Sequence, residues 1–180
     1  MTRRPADARA RVPGRARRRR IEATAVACVL AASAGGAGAA CLAIDSHPEA
    51  MPLSRIALPA SDPTFTLRYV HSVTRTPVDE DYRVDGSTIV QTAIRFAQHG
   101  PGLPTEADAG ASWRVDANGI TVTMNRRHET IAMRVHADQA PRLTAAGDAR
   151  PVELARWGNR ALVLSAAPGD CPATNGAAIR

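Results

Sequence analysis

The segment YVHSVTRTPVDEDY, residues 69–82, contains the side chains whose types and spacing most readily suggest chemistry. His71 directly precedes Ser72, and a serine activated by a histidine is the nucleophile of many hydrolases. That chemistry requires the two side chains to converge, whereas successive side chains on a β-strand point to opposite faces. We therefore expect His71 and Ser72 to point apart, which argues against a nucleophile built on this pair. The sequence also lacks a G-x-S-x-G motif.

A pairing of His71 with Glu80 is a second role for the histidine. Pro77 fixes its own φ and biases Thr76 to an extended conformation, so we expect the chain to reverse and bring Glu80 back toward His71 or Ser72. Such a pair could hold a loop, bind a polar ligand, or supply the general base and its orienting acid in a hydrolase. A core or rim histidine without chemistry is the remaining alternative. Two ligands are too few for a metal site, and we assign neither a metal nor another cofactor.

The segment QHGPGLPTE, residues 98–106, predicts a stiff and sharply turning loop, because two glycines and two prolines fall within residues 100–104. Glycine lets a ligand or a partner chain approach the backbone closely; the alternative is a connection that crosses between sheets. It is not a phosphate loop, since no Lys-Ser/Thr follows. We assign no catalytic residue. The candidate residues for binding a ligand or partner are His71, Ser72, Thr76, Glu80, Gly100, Gly102, Leu103 and Pro104.

The elements that must position these residues alternate with a period of two, which is typical of β-strands. In residues 65–73, one face is predicted to carry Phe65, Leu67, Tyr69, His71 and Val73. In the strand after the first hairpin, one side is predicted to carry Val90, Ile94 and Phe96.

Turn signals separate these runs. Asp85-Gly86 and Asn118-Gly119 are typical of two-residue hairpins. Gly158-Asn159 predicts one more tight turn, and residues 125–129 predict a connecting turn. About seven or eight short strands result, so we predict an all-β domain, an antiparallel sandwich or a partly open barrel, preceded by one N-terminal transmembrane helix.

The membrane prediction rests on residues 23–44, which contain no charge over 22 residues. A helix of that length crosses the hydrocarbon core of a bilayer, and the four arginines at 17–20 favour a cytoplasmic N-terminus. We therefore predict a single-pass protein of the bacterial inner membrane with a periplasmic C-terminal domain. Two alternatives are an exported chain cleaved near Ala37-Gly38-Ala39 and a lipoprotein that begins at Cys41.

Charge and cysteine content limit the remaining functions. Residues 1–20 carry nine arginines and one acid, a net charge of +8, while the whole chain carries +6, so residues 21–180 carry −2. This distribution excludes nucleic acid as the partner of the domain. The three cysteines predict no disulfide framework.

The predicted organisation is an arginine-rich cytoplasmic tail (1–20), a signal anchor (21–44), a linker with an edge strand near Ile56–Leu58 (45–62), a periplasmic β-domain (63–166) and a disordered tail (167–180).

The two motifs together resemble the bacterial family of domains of unknown function DUF1850. The resemblance covers about residues 52–166 and rests on Tyr69, His71, Ser72, Val73, Thr76, Pro77, Val78, Glu80, Gly100, Gly102, Leu103 and Pro104. It implies a small exported or membrane-anchored protein, often encoded beside tripartite ATP-independent periplasmic (TRAP) transporters of the TAXI type. We therefore expect a non-enzymatic accessory domain that docks on the permease or its solute-binding protein through the His71/Glu80 turn and the loop at 100–104. The alternatives are a periplasmic hydrolase with His71 as general base, and a domain that binds a small ligand or metal.

Overall fold

The computed structural model describes residues 40–106, 110–148, 150–168 and 171. These residues form two antiparallel sheets that do not close into a barrel, which confirms the prediction of an all-β domain. The described residues form eleven strands. They are β1 (Ala40–His47), β2 (Pro52–Leu58), β3 (Thr64–Val70), β4 (Pro77–Asp85), β5 (Thr88–Phe96), β6 (Ser112–Asp116), β7 (Gly119–His128), β8 (Thr130–Arg134), β9 (Arg142–Ala145), β10 (Val152–Glu153) and β11 (Ala161–Pro168). Nine of them, β3 to β11, fall in the predicted domain, where seven or eight were expected.

The two sheets differ in width. One has four strands in the order β2-β1-β11-β8, and the other has seven in the order β10-β9-β3-β4-β5-β7-β6. Two short 3₁₀ turns, Ala137–Gln139 and Leu154–Trp157, lie in the connections. Within the described part of the chain, no helix is long and apolar enough to cross a membrane.

A shared hydrophobic core joins the sheets. Leu42 and Ile44 of β1 and Leu164 of β11 are fully buried in it, and they pack in one cluster with Phe65 and Leu67 of β3. Burial of such side chains stabilises the fold by about 1.5–3 kcal/mol each. This core covers the half of the seven-stranded sheet that includes β9 and β3.

A second hydrophobic cluster lies on the other half of the wide sheet. Among the described residues, its buried members come from β4, β5 and β7, together with Leu103 of the Gly/Pro loop. The four-stranded sheet contributes none of them. Leu103, which is 7% exposed, therefore fills the place that a side chain of a facing strand would otherwise take.

Two hairpins form as predicted. The β4–β5 hairpin turns at Gly86, which has a φ of 62°, and the β6–β7 hairpin closes with Asp116 paired to Gly119. The predicted turn at 125–129 is wrong: β7 continues to His128, and Glu129 alone separates it from β8. The chain changes sheets at this corner, because β7 belongs to the wide sheet and β8 to the narrow one.

The tight turn predicted at Gly158-Asn159 follows a 3₁₀ turn instead of joining two paired strands. Gly158 has a φ of 86°, and the Asn159 side-chain oxygen accepts a hydrogen bond from the Ala137 amide at 2.9 Å. Val73 is also misplaced by strand alternation. β3 ends at Val70 and residues 71–76 form a turn, so Val73 is 64% exposed.

Strand β1 corrects the predicted end of the membrane anchor. Residues 40–44 were assigned to the anchor, but they form the first half of β1, which lies between β2 and β11. A continuous apolar run is the pattern of a strand buried in a core as well as of a membrane helix, and periodicity does not separate the two. Strand β2 occupies much of the predicted linker and contains its predicted edge strand. Residues 1–39 lie outside the described part of the chain, so the tail and the rest of the anchor stay predictions.

A disulfide joins Cys41 to Cys171, with the two Cα atoms 4.9 Å apart. The expectation of no disulfide is therefore wrong, because the partners are 130 residues apart in sequence and meet only through the pairing of β1 with β11. The sulfur of Cys41 is used in this bond, so lipidation of Cys41 is incompatible with the structure. Ala167 and Pro168, assigned to the disordered tail, belong to β11. The other tail residues, apart from Cys171, lie outside the described part.

Candidate functional site

His71 joins the two sequence motifs through its imidazole ring. Its Nδ1 accepts hydrogen bonds from the amides of Val73 (3.2 Å) and Thr74 (3.1 Å), and its Nε2 lies 3.0 Å from the Pro101 carbonyl oxygen. Because Nδ1 accepts, the neutral ring carries its hydrogen on Nε2 and donates it to Pro101. The ring is 6% exposed. We call these contacts the His71 lock, because they hold the turn at 71–76 against the loop at 98–104.

Gly100 is required by the closeness of this contact. A Cβ atom at position 100 would lie 2.8 Å from Thr74 Cγ2 and 2.9 Å from His71 Cε1. Both distances are shorter than a carbon–carbon contact of about 3.5–4.0 Å. The glycine predicted to allow close approach does so, but what approaches it is His71 of the same chain.

Thr76 and Ser72 have different places in the turn. The Thr76 carbonyl oxygen accepts a hydrogen bond from the His71 amide at 2.9 Å, and its hydroxyl lies 2.9 Å from that of Thr74. Ser72 is exposed, while His71 is buried. The two side chains therefore lie in different environments, as expected, although they belong to a turn and not to a strand.

Glu80 does not pair with His71. One carboxylate oxygen accepts a hydrogen bond from the Tyr69 hydroxyl at 3.1 Å, and the other accepts one from the Tyr82 hydroxyl at 2.5 Å. Burial, with the adjacent negative charge of Glu80, raises the pKa of both tyrosines well above the ordinary value for a phenol. Both phenols are thereby kept as hydrogen-bond donors. Glu80 lies three residues after Pro77 on β4. This strand runs away from the turn, so Glu80 is separated from His71.

Glu80 lies in a cleft between the two sheets. It lines two adjoining cavities of about 250 and 240 Å³, which also share Ile131 and Ala132 of the edge strand β8. Gly102 and Pro104 of the Gly/Pro loop line the larger cavity. The cleft thus occupies the gap between the edge of the narrow sheet and the loop that covers the second hydrophobic cluster.

Gln91 of β5 is the buried polar residue of this cleft. Its side chain lines the larger cavity and is 7% exposed. A bulge lies between Gln91 and Ala93, and the Thr92 hydroxyl there donates to the Asp81 carbonyl at 3.1 Å. A bulge shifts the alternation of a strand by one residue.

The shift in β5 also corrects one predicted face. Ile94 and Phe96 belong to the second hydrophobic cluster, as predicted for one side of the strand, but Val90 belongs to neither cluster. Ile89 precedes the bulge and packs in the shared core. Gln91 therefore shares the inward face with Ile89 and Ile94, which a strict period of two does not predict.

The predicted site residues thus fall into two groups. His71, Thr76 and Gly100 form the lock, and Glu80, Gly102 and Pro104 line the cleft, while Leu103 is in the core and Ser72 is exposed. Sequence reasoning missed Gln91 and the tyrosine partners of Glu80. Two signals were available. Glu80 and Tyr82 are two residues apart and so lie on the same face of a strand, and Gln91 is the single amide in the apolar run TIVQTAIRF. Among the described residues, no three His, Cys, Asp or Glu side chains are placed to hold a metal ion.

The lock predicts that Gly100 and His71 are energetically coupled. Gly100→Ala and His71→Ala should each lower the free energy of unfolding by about 1–3 kcal/mol, the first by overpacking and the second by leaving partly buried backbone groups without their hydrogen bonds. Removal of the imidazole relieves the clash of the new methyl group with His71, although the clash with Thr74 remains, so the double variant should lose less than the sum. Urea unfolding of the full chain measures all three. His47→Ala, at an exposed histidine, is the control and should be additive with Gly100→Ala; additivity of the His71 pair would contradict the lock.

The tyrosine–glutamate contacts predict a loss of stability at alkaline pH. In the unfolded chain both phenols ionise near pH 10.0, whereas the folded protein holds their protons to higher pH. The unfolded state then binds fewer protons, so the free energy of unfolding falls as the pH rises above that value. Tyr69 and Tyr82 are the two tyrosines of the sequence, so tyrosinate absorbance reports them alone.

In this titration, tyrosinate should appear together with the loss of the circular dichroism signal of the folded protein. Glu80→Gln should shift ionisation of the phenols to lower pH, and Glu153→Gln, at an exposed residue of β10, should not. Ionisation of both phenols near pH 10.0 in a protein that remains folded would show that these contacts do not form.

Comparison with known proteins gives one match. The family model described as a domain of unknown function, DUF1850, matches residues 65–152, a span that contains both the lock and the cleft. No curated protein and no solved structure matches the chain.

Proposed function

We propose that this chain, which belongs to the DUF1850 family, is a membrane-anchored periplasmic accessory domain of a TAXI-type TRAP solute transporter. The transporter partner follows from the family resemblance of the two motifs. The domain is proposed to dock on the permease or its solute-binding protein by a surface made of the turn at 71–76 and the loop at 98–104. The observation that carries the docking surface is the His71 lock, which makes one rigid unit of both motifs.

Rigidity favours recognition, because a surface that is already ordered loses less conformational freedom on binding. Val73 is 64% exposed at the tip of this turn and offers an apolar contact to the partner. Arg75, beside it, has a φ of 57° and donates its backbone amide to the His71 carbonyl at 3.0 Å, while its side chain forms an exposed ion pair with Asp138. Backbone and side-chain contacts thus hold both segments of the proposed docking surface in place.

The disulfide supports the periplasmic location. Disulfides persist in oxidising compartments such as the bacterial periplasm and are rare in the cytosol. Cys41 and Cys171 lie at opposite ends of the described chain, so their bond ties the first strand to the last.

We keep the anchor in the proposal with its end moved to residue 39. Residues 23–39 carry no charge, and a helix of this length spans about 26 Å, close to the thickness of the hydrocarbon core. Export followed by cleavage near Ala37-Gly38-Ala39 is the alternative.

The alternative of a hydrolase with His71 as general base has less support. A general base needs a free lone pair directed at the substrate. The Nδ1 lone pair of His71 faces two backbone amides, and its Nε2 faces a carbonyl oxygen. Glu80, which was to orient it, is hydrogen-bonded to two tyrosines instead.

The docking proposal predicts that Val73 matters where another exposed valine does not. Full-length protein, tagged at the C-terminus and captured from crosslinked membranes, should recover a TRAP permease subunit or its solute-binding protein. Val73→Glu should lower that recovery about five- to tenfold, as for loss of one interface anchor. Val115→Glu, at a valine that is 73% exposed elsewhere, is the matched control and should leave recovery unchanged. Recovery of abundant bystanders only, or equal recovery with both variants, would contradict the proposal.

A further inference from the structure

We propose that the larger cavity, lined by Glu80 and Gln91, binds a small aliphatic ammonium compound such as an amine or an amino acid. The ammonium group would donate to the Glu80 carboxylate, and a second polar group would meet the Gln91 amide. The proposal goes beyond docking on a transporter. Its two polar residues, Glu80 and Gln91, lie outside the docking surface, although Gly102 and Pro104 of the loop also line the cavity. Three features of the cleft support it: an oriented carboxylate, an amide that faces the cavity without a hydrogen bond to the described residues, and a wall that is apolar in part.

Glu80 is prepared to accept further donors. Each of its oxygens already takes one tyrosine hydroxyl, which fixes the plane of the carboxylate, and a carboxylate oxygen accepts more than one hydrogen bond. Among the described residues, no arginine or histidine forms an ion pair with Glu80. A half-buried carboxylate favours a cationic partner, and an ammonium group would supply its charge together with N–H donors.

Gln91 lines the same cavity as Glu80. Its side chain is more than nine-tenths buried, yet its amide makes no hydrogen bond within the part of the chain that the structure describes. Among the described residues, the buried side-chain polar atom without a partner is Trp113 Nε1, so the Gln91 amide is open to the cavity and available to a group that binds there. The bulge after Gln91 keeps it on the inward face of β5, beside Ile94.

The rest of the wall limits the size and chemistry of the ligand. Ile94, Ile131, Ala132, Gly102 and Pro104 provide apolar contact for a short carbon chain. A volume of about 250 Å³ is below that of sites for drug-sized molecules. His128 and Thr130 line the same cavity, so a carboxylate on the ligand is compatible with it and zwitterions belong to the proposed class.

The test is binding of four probes to the purified full chain by isothermal titration calorimetry and thermal shift. Putrescine and 4-aminobutyrate carry ammonium N–H donors, glycine betaine carries a cation without them, and succinate carries only carboxylates. We expect the two amines to bind and to raise the melting temperature, since a ligand of the native state stabilises it. Betaine and succinate should not. Equal binding of either control, or no amine binding at millimolar concentration, would overturn the proposal.

Variants assign the binding to the cleft. Glu80→Gln should weaken amine binding about tenfold or more, and Gln91→Leu should weaken it severalfold. Glu153→Gln should bind like the unaltered protein. Unchanged affinity in Glu80→Gln would overturn the proposal. Val73→Glu should retain amine binding, so failure of the docking proposal leaves this one standing and can be told apart from it.

A measurement on the unaltered protein tests the proposal even if the variants do not fold. Tyr69 and Tyr82 both touch Glu80, and they are the tyrosines of the chain. With tyrosine rings labelled for nuclear magnetic resonance, 4-aminobutyrate should shift both ring signals and succinate neither. An amine that binds without moving either tyrosine signal would place the ligand elsewhere and overturn the proposal.

Discussion

One imidazole ring fixes the arrangement on which the rest of the domain depends. His71 accepts two amide hydrogen bonds from its own turn at one nitrogen and faces the Pro101 carbonyl with the other. It thereby joins two separate segments, each with hydrogen bonds of its own, into one unit. Gly100 is the matching constraint on the opposite side, because a side chain there would displace the ring. A histidine that looks like a catalytic group is in this fold a structural one.

The lock has consequences because the two sheets differ in width. Four strands cannot cover seven, and the Gly/Pro loop takes over where the narrow sheet ends. Leu103 fills the second hydrophobic cluster, while Gly102 and Pro104, on either side of it, form a wall of the cleft. Thus the contact made by His71 also determines where that wall lies. The gap between β8 and the loop is the place where the polar residues Glu80 and Gln91 are accommodated.

Local sequence signals predicted the turns and strands of this fold better than the long-range contacts between them. Gly86 and Gly119 marked hairpins correctly, because the backbone of a two-residue turn demands a positive φ regardless of the rest of the chain. The apolar residues 40–44 were misassigned, because a buried strand and a membrane helix place the same demand on side-chain polarity. The Cys41–Cys171 bond depends on the pairing of the first strand with the last, which no local pattern encodes. Similarly, the sequence predicted that the turn of His71 and the loop of Gly100 share one surface. It did not predict the hydrogen bond from His71 to Pro101 that joins them.

The site shows the same division between local and long-range information. Glu80 was identified as unusual, yet it was paired with the wrong residue, because the direction of β4 after Pro77 decides what it meets. Gln91 went unnoticed, since a bulge changes the phase of β5 and turns a residue of uncertain face into a buried one. The position of the Gln91 side chain in the cleft is visible only once both sheets and the loop are assembled.

The protonation state of His71 tests the account most directly. Long-range hydrogen–nitrogen correlation spectra of the folded, histidine-labelled protein, with the signal assigned by its loss in His71→Gln, report which ring nitrogen carries the hydrogen. The account predicts a neutral ring with the hydrogen on Nε2 and a bare Nδ1, as required for two amide donors on one side and the Pro101 carbonyl on the other. A hydrogen on Nδ1 of the folded protein would contradict it, since the turn and the loop could not then be held together by this ring.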